Sequence, residues 1–492
     1  MRLIRLLIML AAAAWGVQAQ AEWRRAESPN FVVFSEGPEN RLRERVKELE
    51  DFHWLLKRMT EAAGRPDSPN KLHVYVVDGK QELKAVRDVG RDVAGFYFAG
   101  GEGIGAFVDK RGTGRSNIIL FHEYAHHYMH QYFPTAYPAW YIEGFAEYFS
   151  TAKFAGRRVD IGNFDPGRVY AVTEQPWLPL ERVLGAGPGG LPAEQTAAYY
   201  AQSWLMAHYF YSNPERQGAL RRYLNAARRS DPIAALQTAT GMTLEQFTRE
   251  LRTYIGRGSI MYRRLERAEP APPPVTVSVL SKAADDLMLH EAALRIGLDR
   301  EEAPARLQRI RAAAARHPAD PLARRVLAHA EMLHGDKAAA LKLLEALQEQ
   351  VPNDAELMYL RGRLHLEQAE QGKDWDKEAA SARSWFARAH KLNPNHFQTL
   401  YRYAQSQRQG PEAVSENTIN TLLLAQQLAP QVTEVRMNAA AALIARGDVD
   451  LARDLLAPVI SDPHDRSLAE AARKMLAGAR TRSRTPAAAE ED

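Results

Sequence analysis

Over the first hundred residues the apolar positions switch between two periods. Phe31-Val32-Val33-Phe34 and Leu72-His73-Val74-Tyr75-Val76-Val77 are short runs rich in β-branched and aromatic residues, and they predict strands. Between them, residues 39–59 carry apolar side chains at helical spacing and predict an amphipathic helix; a shorter helix is expected near residues 81–87. Gly95-Phe96-Tyr97-Phe98 and Ile104-Gly105-Ala106-Phe107-Val108 predict two further strands around a glycine-rich turn. From about residue 116 the pattern is helical. A sheet-bearing lobe followed by helices is an α+β arrangement.

The pattern breaks at Glu269-Pro270-Ala271-Pro272-Pro273-Pro274, which can be neither helix nor central strand and reads as a stiff linker. Beyond it the chain repeats. His317-Pro318, Val351-Pro352, Asn393-Pro394, Ala429-Pro430 and Asp462-Pro463 recur at spacings of 34, 42, 36 and 33 residues, with Gly335, Gly372, Gly410 and Gly447 between them. A period near 34 with a turn inside each unit and a proline at its end resembles the tetratricopeptide repeat. Small and apolar residues follow that pattern in the second helix of each unit, as in Ala340 and Leu344, or Ala382, Phe386 and Ala389. The extra residues of the second unit are expected in a polar loop around residues 370–377. Residues 283–316 offer one more degenerate unit.

Composition narrows the setting. Charged residues make up 25% and formal net charge is +4, with no Lys/Arg block, so nothing calls for nucleic acid as a partner. Met1 to Arg5 is basic and residues 6–15 are apolar, followed by small residues around Ala19 and Ala21. This is the pattern of a secretory signal peptide, and an uncleaved anchor is the competing reading. No other run reaches the roughly 18 apolar residues of a membrane span, so the mature chain is expected to be soluble, and periplasmic or secreted. The chain has no cysteine, which removes disulfides, a lipidated cysteine and any thiolate-bound metal. A metal here must use histidine and carboxylate.

Residues of that kind occur at a telling spacing in Ile118-Ile119-Leu120-Phe121-His122-Glu123-Tyr124-Ala125-His126-His127-Tyr128-Met129. On a helix, residues four apart share a face, so His122 and His126 can aim both imidazoles at one point. Neutral imidazole is a good zinc ligand. Glu123, one residue round, can reach water activated by such an ion without ligating it. The flanking residues are apolar nearly all round, so this helix should be buried, and two histidines and a glutamate there need a reason. HExxH alone is a modest signal. A second segment, Pro138-Ala139-Trp140-Tyr141-Ile142-Glu143-Gly144-Phe145-Ala146-Glu147-Tyr148-Phe149, predicts a helix opened by Pro138. Glu143 follows His126 by 17 residues, which suits a helix folding back to deliver a third ligand. Three protein ligands leave the open position that catalytic zinc requires.

Together the two segments resemble the gluzincin metallopeptidases, in which HExxH is followed by a glutamate ligand on the next helix. Trp-Tyr-Ile-Glu-Gly-Phe-Ala-Glu-Tyr is similar to the aminopeptidase-like form. More narrowly, the chain resembles exported bacterial gluzincin-like proteins that end in tetratricopeptide repeats. The resemblance implies a gluzincin-like catalytic domain, with a small N-terminal sheet lobe and a helical active-site lobe, followed by an all-α solenoid. The expected boundaries are 1–21 signal peptide, 22–265 catalytic domain, 266–282 linker, 283–480 repeats and 481–492 disordered tail. It implies one zinc ion (Zn2+) per chain, held by His122, His126 and Glu143, with Glu123 as general base.

For Glu147 two readings stand: a partner that orients a ligating histidine, or a solvated helix charge. The family often supplies an oxyanion donor as Tyr or His after the third ligand; Tyr199 and Tyr200 are the candidates, and the resemblance of Tyr200-Ala201-Gln202-Ser203 to the exported group favours Tyr200. Packing in an aromatic helix is the competing reading for both. His127 and His130 are near the motif; His130 continues the face of His122 and His126, but a fourth protein ligand would close the site, so it reads as a packing residue or a support to the ligands, and His208 reads as an ordinary helix histidine. The Gly-Ala-Met-Glu-Asn segment with which related aminopeptidases hold a substrate's amino terminus is missing, so endopeptidase activity is the default. The strand at residues 104–108 is expected to offer an edge to an extended peptide.

The implied function is hydrolysis of peptide or protein substrates, with the repeats binding substrate or a partner protein in their groove. The alternative is a non-catalytic envelope scaffold acting through that groove.

Overall fold

The computed structural model describes residues 22–90, 93–111, 115–256, 261–268, 271–372, 374–407 and 414–482. The expected signal peptide, Glu269, Pro270, Gly410 and all but the first two residues of the expected tail lie outside them. The architecture is α+β. A six-stranded sheet has the order β4-β5-β3-β2-β1-β9, where β1 is Trp23–Glu27, β2 Phe31–Glu36, β3 Leu72–Val77, β4 Gly95–Gly100, β5 Gly103–Asp109 and β9 Thr276–Val279. β2, β3 and β5 run parallel; the flanking pairs are antiparallel. Helix α1 (Glu39–Met59) crosses between β2 and β3, and α2 (Lys80–Val86) follows β3.

Strand alternation sends the two faces of this sheet to different partners. Phe31, Val33, Val74, Val76, Ala106 and Val108 face α1 and α3 (Arg115–Tyr132), where Phe52 stacks on Phe121 at 4.2 Å. Val32, Phe34, Tyr75, Val77 and Phe107 face α2 and α11 (Ala283–Ile296), the first helix of the repeat region. Phe34, Tyr75, Phe107 and Phe96 stack in a row beneath it at 4.9, 4.5 and 4.9 Å. Each such ring buried is worth about 1.5–3 kcal/mol, so the start of the repeat region shares a core with the sheet.

The helices that follow α3 are α4 (Ala139–Ser150), α5 (Pro166–Glu174), α6 (Leu180–Gly185), α7 (Ala193–Tyr211), α8 (Pro214–Ala227), α9 (Pro232–Thr240) and α10 (Leu244–Gly256). A three-stranded sheet that the apolar pattern does not announce joins β6 (Lys153–Ala155), β7 (Arg158–Ile161) and β8 (Arg263–Glu266). These strands are too short and too charged to show alternation.

Three expectations are corrected. The span 266–282 is not a free linker: Glu266 ends β8, and β9 pairs with β1 from Arg24↔Val279 to Glu27↔Thr276. It takes an edge position, the one place in a sheet that tolerates neighbouring prolines. The strand at residues 104–108 is not an edge, because β5 lies between β4 and β3; the free edge on that side belongs to β4. The loop expected around residues 370–377 is narrower than that: Glu370 still belongs to α15 (Ala355–Glu370) and residues 375–377 already belong to α16 (Trp375–Leu392), so most of the extra residues lengthen the two helices.

The remaining helices are α12 (Ala303–Ala315), α13 (Pro321–His334), α14 (Lys337–Gln350), α17 (Phe397–Ser406), α18 (Glu416–Leu428), α19 (Thr433–Arg446), α20 (Val449–Ile460) and α21 (Arg466–Arg482). Each packs on the next and most first helices also touch the next first helix, giving a stack of helical hairpins. The stack returns to the N-terminal half. Glu102, in the β4–β5 turn, accepts a 2.6 Å hydrogen bond from Tyr359 and pairs with Arg363 at 3.3 Å and with Arg402. Gln431 donates to Gln131 of α3 at 2.7 Å, and Asn70 donates to the Leu428 carbonyl at 2.9 Å. No helix of the described residues is long and apolar enough to cross a membrane.

Candidate metal centre

α3 is held by its apolar surround: Phe121, Tyr124, Ala125, Tyr128 and Met129 are buried. His127 is tied away from His122 and His126. His127 Nδ1 meets the Tyr97 hydroxyl at 3.1 Å and its Nε2 lies 3.4 Å from Gln431 Nε2. His122 and His126 are turned toward α4. α4 can lie against α7 because residue 144 is glycine: a Cβ there would stand 2.4 Å from the Ser203 carbonyl oxygen. That approach brings Glu143 and the Tyr199–Tyr200 pair to one place.

His122, His126 and Glu143 each present one donor atom, all within 4.8 Å of one another. The two Nε2 atoms are 3.0 Å apart. Glu143 Oε2 is 3.7 Å from His122 Nε2 and 3.6 Å from His126 Nε2. Donors around a tetrahedral zinc at about 2.0–2.1 Å stand roughly 3.3 Å apart, so the three residues fit such an ion with shifts of a few tenths of an ångström. The chemistry fits too. Among the described residues both Glu143 oxygens are buried without a hydrogen-bond partner, a costly state for a carboxylate that is fully enclosed.

Burial, reinforced by the neighbouring His126, pushes His122 down to about 3, so its imidazole is neutral, as a ligand must be. Burial alone would raise Glu143, but His126 and His464 outweigh it and hold the carboxyl well below its usual range. Burial pushes Glu123 up, against the opposing pull of His126 and His464, which makes it a stronger base.

Glu147 is not a solvated charge. It is buried, takes two hydrogen bonds from Arg168 at 2.7 and 2.8 Å, and places Oε1 3.5 Å from His122 Nδ1. The two tyrosines separate. Tyr199 is fully buried and its hydroxyl has no hydrogen-bond partner among the described residues. Tyr200 is partly exposed, with its ring 6.4 Å from the His122 ring and the Arg168 guanidinium 5.3 Å over its face. Burial and the Glu143 charge raise the Tyr200 hydroxyl well above its usual value, so it keeps its proton. His208 packs elsewhere, bridging the Tyr254 hydroxyl and the Gly162 carbonyl at 2.8 and 3.0 Å.

One residue at the site has no precedent in the sequence pattern. His464, in the turn between α20 and α21, lies with Nε2 2.9 Å from Glu143 Oε1 and its ring edge-on to His126 at 5.3 Å. The approach has ion-pair distance without the in-line geometry of a hydrogen bond. His464 keeps half of its side chain exposed; its partial burial would lower the imidazole, but Glu143 outweighs this and raises it to about 9. Asp462-Pro463 marks a repeat boundary, and nothing in its spacing signals a role for the next residue.

No family model matches the chain, and no curated protein does. Among solved structures, it is similar to a thermophilic TPR protein of Thermus thermophilus, with 19% identity and a TM-score of 0.34, covering 40% of this chain and 99% of that one.

Proposed function

We propose that this chain is a zinc-dependent peptidase in which His122, His126 and Glu143 hold one zinc ion and Glu123 is the general base. The observation that carries the reading is the convergence of two histidines and a fully enclosed glutamate from two helices, with neither glutamate oxygen hydrogen-bonded among the described residues, beside a basic carboxylate on the histidines' helix. Zinc bound there would supply Lewis acidity, lowering the pKa of water to about 7 and polarising a carbonyl. Glu123 takes the proton of the attacking water and passes it to the leaving amine. Tyr200, protonated at neutral pH, donates to the carbonyl oxygen as it gains charge. Glu147, braced by Arg168, faces His122 Nδ1 and keeps that ring turned toward the other donors.

The substrate is a peptide or protein, and endopeptidase action is the reading that fits the missing Gly-Ala-Met-Glu-Asn segment. The helical hairpins, read as tetratricopeptide-like repeats, offer a surface for substrate or a partner protein. Their first helices already hold the Glu102 turn, which leaves less of that face for a partner. The basic and apolar N-terminal residues support export to the periplasm or beyond.

Metal analysis should find about one zinc per chain, and Glu123→Gln should abolish cleavage of a peptide library while keeping the metal. Unchanged hydrolysis in that variant would overturn the mechanism. Bound zinc with no cleavage by the natural chain would favour the scaffold reading instead.

A further inference from the structure

The two oxygens of Glu143 face different neighbours. Oε2 faces the Nε2 atoms of His122 and His126, while Oε1 meets His464 Nε2. Glu143 is fully enclosed, and among the described residues neither oxygen has a hydrogen-bond partner, while His464 stands at ion-pair distance on the outer side of the carboxylate, where it can fix its rotation. Ligating carboxylates depend on such partners, which orient the oxygen that reaches the metal. Here the partner comes from the end of the repeat stack.

The turn that carries His464 is seated on the N-terminal half in a built position. Pro463 fits against Gly187, where a Cβ would stand 3.0 Å from the proline Cα and Cβ. Arg466 fits against Gly189 and Gly190; a Cβ at Gly190 would come 2.6 Å from the guanidinium. Gly190 also has φ +77°, a conformation that favours glycine. The Gly185-Ala186-Gly187-Pro188-Gly189-Gly190 segment is therefore a smooth seat, and Arg182 holds its backbone through the Gly187 carbonyl at 2.9 Å.

We propose that His464 is a positioning residue for Glu143, and that seating the α20–α21 turn on residues 187–190 is required for full zinc affinity. This rests on the zinc reading of the site. It makes the last repeat a structural part of the metal centre, so the metal is held fully only when the stack is closed onto the N-terminal half.

The test is zinc affinity of the full chain, by competition with a chromophoric chelator, with no substrate present. His464→Ala should weaken zinc binding about 10- to 100-fold, and His464→Gln, which restores an N–H donor, should recover most of it. Gly187→Leu, which touches no ligand, should weaken binding about tenfold by lifting the turn, with His464 intact. In the metal-free protein, amide exchange of residues 461–466 should quicken in Gly187→Leu.

His126→Ala is the control for the underlying reading and should lose zinc. If it does while His464→Ala stays within about twofold of the natural chain, the positioning role is wrong and the zinc site stands. A Gln variant as weak as the Ala variant overturns the role as well. Unchanged affinity in Gly187→Leu overturns the seating requirement. Retention of zinc by His126→Ala removes the zinc reading, and this inference with it.

Discussion

Glu102 offers a direct measure of how firmly the repeat stack is attached. It is the acid of the β4–β5 turn, and it meets Tyr359 of α15, Arg363 of the same helix and Arg402 of α17. Burial pushes its carboxyl up, but Arg363, Arg402 and the Tyr359 hydroxyl outweigh burial and hold it at about 2, against an ordinary value of 4.5. A depressed folded-state value means stability present above the unfolded-state value and lost as pH falls toward the folded one. A difference of that size corresponds to about 3 kcal/mol at pH 7, and to about 1 kcal/mol once the pH reaches about 3. Glu102→Gln keeps the shape and removes the charge. It leaves Arg402 enclosed without its acid, the situation in which breaking a buried pair costs about 3–5 kcal/mol. The assay is denaturant unfolding of the full chain, natural against Glu102→Gln, at both pH values. The gap should be about 3 kcal/mol at neutral pH and shrink to about one third of that in acid. A gap that stays constant between the two, or one below about 0.5 kcal/mol at pH 7, would refute the clamp.

Other outcomes follow from particular contacts. Gly144→Ala would gain stability from helix propensity alone, but its methyl meets the Ser203 carbonyl, so a loss of about 1–3 kcal/mol in thermal unfolding is expected. Arg168→Met removes the brace of Glu147 and should weaken zinc binding about tenfold by chelator competition. Tyr200→Phe should lower kcat about 100-fold or more with zinc content unchanged. Tyr199→Phe deletes an enclosed hydroxyl with no hydrogen-bond partner among the described residues, and should leave stability the same or slightly higher.

Much of the local architecture was readable from period and punctuation. The strands β2, β3, β4 and β5 and the helices α1, α3 and α4 fall where their apolar spacing puts them, and the recurring prolines lie between hairpins. What failed has identifiable causes. β6 to β8 are short and charged, so they carry no alternation. β9 is hidden beside prolines, because an edge strand needs only one side of its backbone free. The second repeat's extra residues read as a loop because they are polar, yet Glu370 and residues 375–377 belong to the ends of two long helices.

At the candidate site the division is sharper. A spacing of four and apolar flanks are local properties, and they suffice to put His122, Glu123 and His126 in one helical neighbourhood. A second local pattern names Glu143. The convergence of His122, His126 and Glu143 within 4.8 Å is not local: it depends on α4 lying close to α7 at Gly144. Only the tertiary structure brought in His464, a residue from the far end of the repeats. Its presence follows from how the hairpins stack and where the stack closes. That geometry is a sum over many helix contacts, and no motif in the chain encodes it.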